Sequence, residues 1–239
     1  MCSSDLTWAS RGASAHWLFG MFRTDPESER HHGLTFILCP LDAPGITVRP
    51  IEKLSGKAAF AEVFFDDARV KAENRLGPVG EGWGVAMATA GFERGLMLRS
   101  PARFQNTARK LVELYRETHA QGEFIDASVR DAVARCWMDA EAYALNTYQT
   151  VSRMMSGGKI GAESSVNKIF WSELDIKMHE LALELLGTRG ELLPSSPAAK
   201  GVGDWLDGCI FALAGPIDAG TNEVQRNIIA ERILGLPRK

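Results

Sequence analysis

Glu93 stands apart from most of the 30 acidic residues of this chain. It lies in GVAMATAGFERGLM (84–97), among the apolar residues Val85, Met87, Ala90, Phe92, Leu96 and Met97. A carboxylate near an apolar core loses solvation of its charged form, so its pKa rises. Such groups mark sites of proton transfer as well as structural ion pairs. With Arg94 beside it, the pair reads either as reactive chemistry or as an ordinary solvated helix face. The other reactive side chains read blandly. His31-His32 sits in a polar turn, exposed to solvent. His179 has no second ligand at metal spacing, so no metal site is expected. Met154-Met155 reads as core packing. Cys2, Cys39, Cys136 and Cys209 show no C-x-x-C spacing and read as reduced thiols.

Composition narrows the class. The chain has 239 residues, 45% hydrophobic and 24% charged, with a net charge of −3. That balance gives no electrostatic footprint for nucleic acid. No apolar run reaches the ~18 residues of a membrane span, and no signal peptide is visible, so a cytoplasmic location is expected.

Two halves with different periods must position these residues. Residues 16–24, 33–41, 45–51 and 59–70 are short apolar or alternating runs separated by turn formers, and read as antiparallel strands. From Gly82 the period becomes helical. Residues 82–119 predict one long helix or two abutting at Pro101. Further helices are predicted over 126–158, with an Asp cap and a closing Gly pair, and over 161–187, 204–213 and 221–235. The last has Thr221 as N-cap and an apolar stripe of Val224, Ile228, Ile229, Ile233 and Leu234. The fold class is therefore α+β: a partial antiparallel β sheet or barrel, then an all-α up-down helical bundle. The expected domains are a β domain over 7–78 and a bundle over 79–239. CSSDL fits nothing downstream and resembles the translated end of a sequencing adapter. Residues 1–6 are thus expected to be a non-native leader on a truncated gene, against the alternative of a native extension.

Four stretches carry a family resemblance. AGTNEVQRNIIAERILGLPRK (219–239) resembles the C-terminus of acyl-CoA dehydrogenases. Residues 7–50, from TWASRGASAHWLFG to GITVRP, resemble the second part of that family's middle β domain. FAEVFFDDARVKAENRLGPVGEGW (60–83) resembles its F-x-E-V-F-F-D-D-V-R-V-P-x-x-N segment, with Lys71 in place of proline. LELLGTRG (183–190) resembles its Q-x-x-G-G-x-G stretch, with Glu184 and Thr188 as departures. The likeness runs from Thr7 to Lys239.

The resemblance implies FAD-dependent α,β-dehydrogenation of an acyl-CoA thioester within fatty acid and lipid metabolism. In that chemistry a carboxylate removes the α-proton while the β-hydrogen leaves as hydride to the flavin. The thioester carbonyl is hydrogen-bonded throughout. Most members hold the base in the C-terminal loop, where this chain has Ala219. A minority hold it on the first bundle helix, just before an arginine, which here is Glu93-Arg94. Glu93 is therefore the expected base, with Asp218 as rival. Arg94, Ala219 and Gly220 are expected at the substrate, with the Ala219 N–H on the thioester carbonyl. For FAD, Trp8 and Ser10 match the W-x-T/S contact, against Trp8 as sheet core. Thr221 and Glu223 match the G-T-x-E/Q positions. Gly187 and Gly190 match the turn that approaches a neighbouring subunit's FAD. Arg116 is the nearest match to the R-x-x-F-G phosphate contact, with wrong spacing to Gly122. The implied partners are electron-transfer flavoprotein as electron acceptor and further copies of the chain in a dimer or tetramer. The alternative is a non-catalytic subunit of a hetero-oligomer.

Overall fold

The structure, a computed structural model, describes residues 4–96, 99–123, 125–158, 161–193, 195–199, 202 and 204–237. Side chains are described for the same residues apart from Ser4 and 90–96. The chain divides into two compact units, Met1–Phe92 and Glu93–Lys239.

The first unit is built from two three-stranded antiparallel sheets. One has the order β1 (Ser4–Ser10), β5 (Ala58–Phe65), β4 (Ile46–Glu52). The other has the order β2 (Trp17–Arg23), β3 (Leu34–Pro40), β6 (Arg75–Leu76). Buried Cys39, Leu41, Val63 and Phe65 form one cluster with Leu6, Leu18, Phe22 and Val48, so the inner faces of the two sheets share a core. Alternation sorts each strand: Leu18 and Phe22 of β2 turn inward, whereas Trp17, Phe19 and Met21 are exposed.

The four strand-like runs correspond to β2 to β5. Strand β5 ends at Phe65 because the chain turns at Asp66-Asp67, where Asp67 has φ 49°. Two strands were not legible. β6 is only two residues long. β1 pairs Leu6 with Val63 and Ala9 with Ala61, leaving Thr7 and Trp8 opposite the single residue Glu62. That β-bulge breaks the alternation from which a strand is read. The β2–β3 turn is gathered by Arg23, whose guanidinium donates to the carbonyls of Ser28 (2.9 Å), Arg30 (2.6 Å) and His32 (3.1 Å). His31 is exposed as expected, with its ring 5.3 Å from that of Trp83.

Helix α1 (Gly82–Leu96) starts against β3. A Cβ on Gly82 would lie 2.5 Å from the Phe36 backbone nitrogen, so only glycine allows this approach. In the second unit α2 (Pro101–Ala120) begins with its proline at the first position, where the missing N–H costs nothing. Helices α3 (Ala127–Met155) and α4 (Ser164–Leu186) follow through short links, α3 antiparallel to α2 and α4 antiparallel to α3, since Gln105 meets Glu141, Asp139 meets Lys177 and Arg153 meets Glu163. Phe104 of α2 meets Tyr143 of α3 edge-on at 5.1 Å, and Tyr143 stacks at 6.3 Å on Phe170 of α4. Asp126 caps α3 by accepting from the Ser128 N–H at 2.7 Å. The core comprises Phe104, Leu111, Tyr143, Trp171, Met178 and their neighbours. The α+β fold class is as the sequence predicts.

One expectation is corrected. Met154 and Met155 are not core: Met155 is 85% exposed, at the end of α3. Helix α6 (Asn222–Arg232) turns only part of its apolar stripe inward, with Ile228 and Ile229 half-buried. Its fully buried residues are Asn222 and Gln225, while Val224, Ile233 and Leu234 stay exposed. The side of α4 that it meets offers Ser165, Lys168 and Ser172, so the contact is hydrogen-bonded rather than hydrophobic.

Candidate functional site

Glu93 and Arg94 fall within α1 by backbone, but their side chains lie outside the described residues. Of the earlier residues on that helix, Val85 is half-buried and Met87 exposed.

Trp8 is the most distinctive residue of the first unit. It occupies the bulge of β1 with φ 64°, a left-handed conformation that costs a non-glycine residue roughly 1–2 kcal/mol. Its indole is 64% exposed and touches Phe60 edge-on at 5.8 Å. It is therefore not sheet core. Strained backbone that turns a large aromatic outward motivates a functional reading. Ser10, also exposed, lies on the same strand and pairs with Phe60.

In the second unit Ala219, Gly220, Thr221 and Glu223 come together at one junction of loop and helix. The chain reaches α6 through α5 (Trp205–Ala212) and a run of turns. Asp218 N–H donates to the Ala214 carbonyl at 2.8 Å, and Asn222 N–H to the Pro216 carbonyl at 2.8 Å. Between them Ala219 (φ 55°) and Gly220 (φ 89°) are both left-handed and exposed. Among the described residues the Ala219 N–H donates to no group. Thr221 is the N-cap, its hydroxyl accepting from the Val224 N–H at 3.3 Å. Hydrogen bonds from its own backbone N–H and the Thr221 hydroxyl hold the Glu223 carboxyl below its usual range. The junction thus offers a free N–H beside the amide end of a helix, an arrangement that favours partial negative charge.

Four residues that sequence reasoning missed hold this junction. Gln225 spans back from α6, its carboxamide nitrogen 3.3 Å from the Ala219 carbonyl and 3.4 Å from that of Gly220. Its oxygen accepts from the Ser165 hydroxyl at 2.7 Å, with both side chains buried. The Lys168 ammonium donates to Asn222 Oδ1 at 2.7 Å. Burial pushes the Lys168 pKa down, while the carboxylates of Asp218 and Glu223 oppose that shift. Apolar periodicity is silent about such residues.

Gly187 and Gly190 sit elsewhere, past the last turn of α4. The helix rises ~1.5 Å per residue, so the 19 residues from Lys168 to Gly187 set Gly187 roughly 28 Å from the α6 junction, while Gly190 turns back against Leu183. Gly187, with φ 54°, is exposed and has nothing within 4 Å of where a Cβ would be. It borders a cleft of about 300 Å³ together with Thr118, Glu123, Asp126, Val129 and Glu184. Arg116 lines a different groove, of about 550 Å³ between α2 and α3, with Arg109, Arg130 and Trp137. Among the described residues no group of three or more His, Cys, Asp or Glu could hold a metal ion. No helix among them is long and apolar enough to cross a membrane.

A chain with this β unit and bundle is matched over residues 80–234 by the family model "Acyl-CoA dehydrogenase, C-terminal domain". The chain belongs to the acyl-CoA dehydrogenase family. It is 39% identical over 236 residues to acyl-CoA dehydrogenase IpdE1 of Mycobacterium tuberculosis, covering 97% of this chain and 58% of that protein. Against IpdE1 of Mycolicibacterium smegmatis it is 37% identical over 233 residues, covering 97% and 56%. The chain therefore spans somewhat over half the length of these relatives. Among solved structures it resembles the ChsE4-ChsE5 complex from Mycobacterium tuberculosis, with 28% identity, a TM-score of 0.83 and coverage of 99% of this chain and 61% of that one. The Tcur3481-Tcur3483 steroid ACAD shares the fold, with a TM-score of 0.87 at 24% identity and coverage of 99% and 61%.

Enzymes of this family, such as glutaryl-CoA and butyryl-CoA dehydrogenases, are FAD-dependent. The residues here fit that cofactor in part. An outward indole on a strained bulge suits a flat aromatic ring, and the capped start of α6 suits polar groups of the cofactor. The Gly187 cleft suits a pyrophosphate poorly: its described lining holds Glu123, Asp126 and Glu184 and no Lys or Arg.

Proposed function

We propose that the protein carrying this chain catalyses FAD-dependent α,β-dehydrogenation of an acyl-CoA thioester. In this reading Glu93 takes the α-proton onto its carboxylate and Arg94 orients the substrate. The Ala219 N–H donates to the thioester carbonyl, so that oxygen can carry the charge that develops as the proton leaves. That role needs only backbone, so Ala219 is compatible with catalysis although it cannot itself take a proton. FAD, when bound, supplies the acceptor for the β-hydride. Trp8 and Ser10 would hold its ring, and Thr221 and Glu223 its ribityl and adenosine end. Electron-transfer flavoprotein would then collect the electrons. The observation that carries this reading is the left-handed Ala219-Gly220 turn, with its free N–H ahead of a capped helix.

The roughly 28 Å between the α6 junction and Gly187 suits a cofactor shared between subunits, each end held by a different copy. Exposed Met138, Leu145 and Tyr148 on α3, and Val224, Ile233 and Leu234 at α6, give apolar area for such association. A second reading, a subunit of a hetero-oligomer that leaves chemistry to its partner, is favoured by the acidic lining at Gly187. The solved ChsE4-ChsE5 structure is likewise a complex of two different chains.

The test is anaerobic addition of a panel of acyl-CoA thioesters to the purified FAD-loaded protein. The proposed function predicts flavin bleaching by at least one thioester and none by the matching free acid. Stoichiometric FAD with no bleaching by any thioester would favour the hetero-oligomer reading. Sedimentation, alone and with co-expressed relatives, separates homo- from hetero-oligomers.

A further inference from the structure

The Ala219-Gly220 turn has an unusual feature: two successive left-handed residues, one of them not glycine, on an exposed loop. Left to itself, alanine disfavours this region by roughly 1–2 kcal/mol. Something must hold it, and the local hydrogen bonds say what. Gln225 lies one turn into α6 and is 4% exposed. Its carboxamide nitrogen faces the Ala219 and Gly220 carbonyls at 3.3 and 3.4 Å. Both carbonyls only accept, so the nitrogen must be the atom that faces them. The opposite end is fixed too, because the Ser165 hydroxyl, itself 2% exposed, meets Gln225 Oε1 at 2.7 Å. Gly220 leaves room for the amide: a Cβ there would stand 2.7 Å from Gln225 Nε2.

We infer that Gln225 is a positioning residue. It clamps both carbonyls of the turn inward and so keeps the Ala219 N–H free and outward-facing. This rests on the proposed function in one respect, that the N–H is the donor to the thioester carbonyl. The clamp itself is a property of the turn. Ser165 aligns the clamp, and Lys168 with Asn222 fixes the register of α6 on α4 from which it acts.

Gln225→Glu is nearly isosteric. It keeps an acceptor for Ser165 but sets carboxylate oxygen against two carbonyl oxygens, which releases the turn. Gly220→Ala fills the space the amide occupies and also strains the Gly220 backbone at its own φ of 89°, so Gln225→Glu is the variant that isolates the clamp. The first readout is the Ala219 Cα and Cβ chemical shifts by NMR, which report left-handed backbone without any ligand. Both variants are expected to lose the left-handed signature while the resonances of α2 and α3 stay in place. Retention of that signature in Gln225→Glu would overturn the inference. The second readout is flavin reduction by acyl-CoA in the FAD-loaded protein. Misplacing a donor by about 1 Å costs on the order of 10²-fold, so kcat should fall by about that factor with a much smaller change in KM. An unchanged kcat in a variant whose turn has been released would also overturn it. If the wild-type protein oxidises no acyl-CoA, the proposed function fails, and the Ala219 shifts alone decide whether the clamp stands.

Discussion

The ammonium of Lys168, with no exposed surface, donates to Asn222 Oδ1 across 2.7 Å at the first residue of α6. A buried cation at the amide end of a helix opposes the helix dipole. The arrangement persists because Asn222 accepts, Ser172 joins the same oxygen at 3.3 Å, and the Asp218 and Glu223 carboxylates lower the local potential.

This relationship predicts a pH dependence. Burial places the folded pKa of Lys168 below its ordinary 10.5. The desolvation cost is therefore fully present below the folded pKa and disappears as pH rises to the unfolded value, so Lys168 favours the folded state more at alkaline pH. Lys168→Met keeps the length and removes the charge. In urea titrations its stability relative to wild type should be highest near neutral pH and should fall towards pH 10.5. Lys168→Ala, which leaves a cavity, should be about 3 kcal/mol less stable than Lys168→Met. A Met-minus-wild-type difference that does not vary with pH would contradict this account.

Tyr143 predicts the opposite trend. Burial pushes its phenol up to about 12 from the ordinary 10.0, and the hydroxyl donates to the Arg99 carbonyl at 2.8 Å. A raised folded pKa contributes stability that is complete below pH ~10 and lost as pH rises through about 12. A shift of that size corresponds to about 2–3 kcal/mol. Tyr143→Phe should cost about 1 kcal/mol at pH 8 through the lost hydrogen bond. It should also flatten the decline above pH 10, read from denaturant midpoints. A variant whose decline parallels the wild type would show that Tyr143 does not drive it.

Trp8 separates stability from ligand binding. Its side chain is largely exposed and its backbone strained, so Trp8→Asn, a residue that tolerates left-handed φ, should change folding stability by less than about 1 kcal/mol. FAD affinity in the loaded protein should fall roughly tenfold, the scale of one aromatic contact. Differential scanning calorimetry and flavin titration read the two effects. Loss of stability with unchanged FAD affinity would make Trp8 structural instead.

Which parts of this fold were legible follows from what each kind of pattern reports. The helices declare themselves through apolar period and stop signals: Pro101 opens α2, Asp126 caps α3 and Thr221 caps α6. Strand β1 hid because its bulge at Thr7-Trp8 breaks the alternation. The burial of α6 was not legible, because its stripe residues Val224, Ile233 and Leu234 stay exposed while the polar Asn222 and Gln225 bury. Their partners Ser165, Lys168 and Ser172 are polar residues on a helix buried on nearly every side. No period marks them, because their burial depends on residues 50 to 60 positions away meeting them. The residues of the proposed chemistry rest on motif resemblance, and the clamp that supports them rests on geometry.

The most direct test of the central claim is rapid-mixing flavin bleaching by acyl-CoA in Glu93→Gln beside wild type, under anaerobic conditions and with FAD loaded. This isolates proton and hydride removal from electron delivery to the proposed partner flavoprotein. The amide keeps the shape and most hydrogen bonding of the side chain, so FAD and acyl-CoA binding should persist. Bleaching should slow by ~10²–10⁴-fold, the scale for loss of a general base, while Asp218→Asn slows it far less. Bleaching of Glu93→Gln at the wild-type rate would contradict the account and pass the role of base to Asp218 or to another subunit.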